Sequence, residues 1–194
     1  GDRLMEFPTA LLGVALGTVL LPSLSAAATR SAQDFSALMD WGLRLTLVLV
    51  LPAALGLGLF SDALVSILFH YGRFDAHDVA MTSQAVMAYS VGLAGLVLVK
   101  VLAPGFYAKQ DIRTPVKIGI GVAIATQLLN LAFVPWLGHA GLPLSIGVGA
   151  LINASVLYWG LRHRGLYSPG AGWALYMGKI AVACLTMGLA LWWS

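Results

Sequence analysis

The sequence predicts an all-α, polytopic transmembrane helical bundle of about six helices, and three observations predict it. Only 10% of the 194 residues are charged while 59% are apolar, whereas soluble domains carry roughly a quarter charged residues. The apolar residues gather into stretches of about 20, the length that spans a hydrocarbon core. The few basic residues fall in alternate connections between those stretches, as a chain crossing back and forth requires. Helix is the state that satisfies its own backbone in lipid, and the period-2 alternation of a membrane barrel is absent.

Six spans follow in order. The first, about 4–24, opens on the charged head Asp2, Arg3 and Glu6 and carries Gly13 and Gly17 four residues apart, a spacing that permits close helix contact in lipid. The second, about 38–60, contains Pro52, Gly56 and Gly58 and is expected to kink or break there, leaving 61–69 as a short separate helix. The third, about 79–107, weakens at Pro104-Gly105; the fourth covers about 116–136, the fifth about 142–161 and the sixth about 173–193. The opening Gly1-Asp2-Arg3 and the closing Trp192-Trp193-Ser194 both look cut, so the chain reads as one transmembrane region truncated at both ends.

The connections set the topology. Arg30 lies in the first loop (25–37), Lys109 and Arg113 with nearby Lys117 at the third (108–115), and Arg162 and Arg164 in the fifth (162–172). The second loop holds Arg73 beside Asp75 and Asp78, and the fourth (137–141) holds no basic residue. Six basic residues against one put loops one, three and five in the cytoplasm by the positive-inside rule. The net charge of +3 forms no single basic stripe, so no nucleic-acid partner is expected. Cys184 lies in an apolar run and reads as a small packing residue.

No enzymatic constellation is present: the sequence has no GxxxxGK[ST], HExxH, CxxC or GxSxG. The informative groups are ionic. Asp2, Arg3 and Glu6 sit at helical spacing, a cation between two carboxylates. They either line an aqueous substrate path, where arginine suits phosphate oxygens, or mark the membrane surface. Lys100 stands inside Leu96-Val97-Leu98-Val99-Lys100-Val101-Leu102 and either snorkels to the surface or meets an anion in a cavity. Gln127 and Asn130 in the fourth span, and Asn153 and Ser155 in the fifth, need polar partners in lipid. Hydrogen bonds between helices are the ordinary answer, and a cation site built from their oxygens is the other.

Three segments, in order, carry a resemblance. Asp2-Arg3-Leu4-Met5-Glu6-Phe7-Pro8, running on to Pro22, resembles the eighth transmembrane helix of the MurJ (MviN) family of lipid II flippases. Leu68-Phe69-His70-Tyr71-Gly72-Arg73-Phe74 resembles that family's LFxxGxF turn, and Tyr107-Ala108-Lys109-Gln110-Asp111-Ile112-Arg113-Thr114-Pro115 its Y-A-x-x-D-x-x-T-P segment. The resemblance implies helices eight to thirteen of a two-lobed, fourteen-helix exporter of the multidrug/oligosaccharidyl-lipid/polysaccharide superfamily. It further implies a non-enzymatic transporter in the bacterial inner membrane that moves lipid II, an undecaprenyl-pyrophosphate-linked disaccharide-pentapeptide, for peptidoglycan synthesis. Arg3 then matches a cavity arginine that contacts the pyrophosphate, and Asp2 and Glu6 match acidic neighbours. The implied partners are lipid II, membrane lipids and an N-terminal lobe of the same chain. No cofactor is implied beyond sodium or membrane-potential coupling. Some members hold sodium through an Asp on helix seven, and here the fourth span offers Asn130 and Gln127 but no Asp. Another exporter of the superfamily, or a membrane scaffold, is the alternative reading.

Overall fold

The computed structural model describes residues 18–69 and 76–193. Helix α1 is described over 18–30, and after it come α2 (Ala32–Leu59), α3 (Ser61–Phe69), α4 (Ala76–Ala108), α5 (Arg113–Leu137), α6 (Gly141–His163) and α7 (Trp173–Trp193). A single 3-10 turn, Gly138–Ala140, joins α5 to α6. The fold is all-helical, and five of the described helices are long and apolar enough to cross a membrane. The protein is a multi-pass membrane protein.

Two expectations are corrected. The loop expected over 25–37 is one residue: helix runs to 30 and resumes at Ala32. The reason is Ser31, whose hydroxyl accepts the Asp34 N–H at 3.0 Å and caps a polar first turn, with Asp34 on the positive end of the helix dipole. Of the kink or break expected at Pro52, the break is absent. α2 runs unbroken through it to Leu59, since a membrane helix tolerates proline where neighbouring helices support it. The chain turns instead at Phe60, whose N–H is held by the Gly56 carbonyl at 2.9 Å, and α3 follows at once. Pro104 likewise lies inside α4, which continues to Ala108.

Two helices end at the same side by the same device. At the end of α4 the Asp111 N–H reaches the Phe106 carbonyl and the Gln110 N–H that of Tyr107, with Gln110 at φ 60°. At the end of α6 the Leu166 N–H reaches Leu161 and the Gly165 N–H reaches Arg162, with Gly165 at φ 66°. Both are left-handed caps that satisfy carbonyls the helix leaves open.

The α4–α6 pairing is the most extensive, and glycine makes it so. A Cβ on Gly92 would lie 2.0 Å from the Gly147 Cα, and one on Gly95 2.5 Å from the Leu151 nitrogen. Lipid tails are as apolar as leucine, so close backbone approach and dispersion must hold such helices together. The main core joins α1, α2, α4 and α6 around Leu24, Phe35, Met39, Phe106, Leu157 and Leu161. By contrast, none of the most apolar window of α5 is buried, and Leu131 and Trp136 are 75% and 89% exposed.

Candidate functional site

Of the charged head Asp2, Arg3 and Glu6, the structure says nothing, because these residues lie outside those described. Lys100 is described. It lines a hollow of about 390 Å³ between α4, α5 and α6, with Thr126 and Asn153 on the facing walls. It stands eight residues before the end of α4, so roughly 12 Å of helix at 1.5 Å per residue separates it from that end. The hollow is otherwise walled by apolar groups and by Gly119 and Gly149. Thr126 is spent on the Val122 carbonyl at 2.9 Å. Lys100 has no anion beside it among the described residues, and Asn153 on the facing wall keeps an oxygen buried without a donor.

Gln127 and Asn130 fall elsewhere, beside Leu131, Val134 and Pro135 on α5. Asn130 donates weakly to Gln127 at 3.5 Å, and its own side-chain oxygen is buried and unpaired. The structure does not bring this pair to Lys100's hollow. Two amide oxygens, one already engaged, fall short of the oxygen shell a cation needs. No group of three His, Cys, Asp or Glu suited to a metal occurs among the described residues.

A second polar centre went unread in the sequence. On α2, Asp40 and Arg44 form an ion pair of 2.7 Å one helical turn apart. Asp40 also accepts from the Tyr167 hydroxyl at 2.7 Å, the Gly170 N–H at 3.1 Å and the Trp173 indole N–H at 2.5 Å. The Arg44 guanidinium donates to the Ala171 carbonyl at 3.0 Å and lies 5.3 Å from the ring centres of both Trp173 and Tyr176. Tyr176 in turn donates to the Arg44 carbonyl at 2.7 Å. Every one of these partners comes from the α6–α7 connection or the first turn of α7. Burial first, and then the Asp40 carboxylate, push the Tyr167 phenol far above its ordinary value, so it stays a donor.

The basic loops meet at this same end. Ser36 donates to the Ser168 carbonyl at 2.8 Å and accepts the Ser168 N–H at 2.9 Å, and the Lys109 ammonium sits 4.7 Å above the Phe35 ring. Asp111 accepts from the Thr114 N–H at 3.1 Å and its hydroxyl at 2.7 Å, capping α5, and is ion-paired with Arg164. These bonds, the Thr114 hydroxyl foremost, hold the Asp111 carboxyl below its usual range. A depressed folded value means a contribution fully present above the ordinary carboxylate range and lost as pH falls through the folded value. Asp111→Asn, which removes the charge paired with Arg164, is therefore expected to lower thermal stability at neutral pH. In melting curves of the full-length protein the deficit should shrink in acid below the ordinary carboxylate range, and a deficit constant with pH would contradict this assignment.

The comparisons agree with this architecture. The chain is similar to the lipid II flippase MurJ of Burkholderia cenocepacia, 57% identical over 193 residues, covering 99% of this chain and 37% of that protein. It is also similar to the probable lipid II flippase MurJ of Vibrio cholerae, 39% identical over 193 residues with the same coverage. The chain thus spans a little over a third of the length of these relatives. Its fold matches a solved lipid II flippase MurJ in an inward closed conformation, at a TM-score of 0.76 and 18% identity, covering 98% of this chain and 44% of that one. The family model described as lipid II flippase MurJ matches residues 1–194, and the chain belongs to that family.

Proposed function

We propose that this chain is part of a transporter that carries lipid II across the bacterial inner membrane by alternating access. The observation that carries the reading is Lys100: a cation well inside an apolar bundle, at a hollow, with no anion beside it among the described residues. A charge in that place is unfavourable unless it meets water or a ligand, and a pyrophosphate headgroup is the anion that the family's name and this geometry jointly favour. Arg3, with Asp2 and Glu6, supplies the second contact, its planar fork matching phosphate oxygens. The N-terminal lobe of the same chain completes the cavity, and the isoprenoid tail stays in lipid. Rocking of the lobes then re-exposes the headgroup on the far side. Transfer makes and breaks no bond, so the residues bind and release and none acts as an acid, base or nucleophile.

The clustered basic connections face the cytoplasm in this reading. Ion or potential coupling supplies the drive, and Gln127 and Asn130 would need further oxygens from another segment to hold sodium, so no step is routed through them. The test is headgroup exposure in vesicles holding the full-length protein and lipid II. Lys100→Gln, which removes the charge and keeps the length, is expected to slow transfer roughly tenfold or more, the worth of one charge-assisted contact. An unchanged rate in a folded Lys100→Gln protein would remove Lys100 from the substrate path.

A further inference from the structure

At one end of the bundle, side chains tie two connections and the head of α2 into a closed ring. The turn between α4 and α5 is tied to α2 by Lys109, whose ammonium lies 4.7 Å from the centre of the buried Phe35 ring. The same turn is tied to the α6–α7 connection by the Asp111–Arg164 ion pair. That connection is tied back to α2 by Ser36, which exchanges two hydrogen bonds with the Ser168 backbone. Asp40 adds to this third corner by accepting from Tyr167, Gly170 and Trp173. The partners are far apart in sequence: Asp111 and Arg164 by 53 residues, Ser36 and Ser168 by 132.

Closure changes what each contact does. An exposed ion pair holds little by itself. In a ring, parting one corner must displace the other two, so each contact is supported by the rest. Directional contacts of this kind also count for more in a membrane, where apolar contact between helices gains little over contact with acyl chains. We propose that the ring is a clasp: it keeps the ends of α2, α4, α5, α6 and α7 at fixed spacing while the protein changes which side its cavity faces. Access at this end is then opened between the clasped helices and the rest of the full-length protein, not among the clasped helices themselves. The role in transport rests on the alternating-access reading above; the ring itself does not.

The full-length protein, otherwise free of cysteine and carrying S36C and S168C, tests both parts. In a glutathione buffer the two thiols should join. Arg164→Ala, at a different corner, should shift that equilibrium severalfold toward the reduced form, because coupling between corners is reciprocal. An equilibrium unmoved by Arg164→Ala, and by Lys109→Ala at the remaining corner, overturns the ring, and so does failure of the thiols to join. In vesicles with lipid II, the oxidised protein should transfer at the rate of the reduced protein. Transfer that stops on oxidation and returns on reduction overturns the fixed spacing. If the protein with its native serines transfers no lipid II, the transport reading falls, and the glutathione equilibrium still decides the ring.

Discussion

In a strain depleted of its own flippase, the full-length protein carrying Arg3→Ala is expected to reach the membrane and fail to support growth. The reason is local chemistry. Arg3 stands between Asp2 and Glu6 in the sequence, a cation flanked by two acidic residues. A guanidinium offers paired donors to phosphate oxygens that no neutral side chain replaces. Arg3→Lys should restore growth in part, because a point charge keeps the attraction and loses the fork. Membrane insertion, followed by the amount of protein in the membrane fraction, should be the same for all three. Normal growth with Arg3→Ala would end the assignment of this residue to the substrate.

The other large effect is expected from Gly92→Val. The new Cβ would be placed 2.0 Å from the Gly147 Cα, and backbone cannot rotate away as a side chain can. α4 and α6 must separate, which gives up the close approach that holds them in lipid. Overpacking in a core costs about 1–3 kcal/mol, and a backbone clash belongs at the upper end or beyond. In the full-length protein the melting temperature should fall by at least about 6 °C, with less folded material recovered. Gly121→Val is the control, since nothing lies within 4 Å of a Cβ there. Equal melting temperatures for the two variants would show that the helices part without penalty.

What could be read from the sequence, and what could not, divides along a physical line. Lipid demands long apolar helices, so hydropathy alone carries the class and the order of spans. Lys100 was visible for the same reason, as a charge where charge is unfavourable. Its hollow was not, because Thr126 and Asn153 come from other helices. The Asp40–Arg44 pair has a legible signal, opposite charges four residues apart, but it stands at the head of its span, where charge is ordinary. Its partners carry no such signal: Tyr167, Gly170 and Trp173 lie 127, 130 and 133 residues away. Gly92 and Gly147 are two among 22 glycines, and only the crossing of α4 and α6 distinguishes them. Residues 25–37 read as a loop because they are polar, and polarity there belongs to helix ends standing clear of the bilayer. Of the candidate site, then, the cations could be read from the chain and their surroundings only from the fold.

The three-residue turn between α5 and α6 has a consequence for assembly. Gly138–Ala140 leaves no slack, and a Cβ on Gly141 would already press within 2.8 Å of the Phe133 backbone. Neither helix can choose its direction across the bilayer alone, so the pair must enter as one hairpin. Arg113 and Arg162, one at each open tip of that hairpin, then vote together, and the orientation of both helices is decided in a single event.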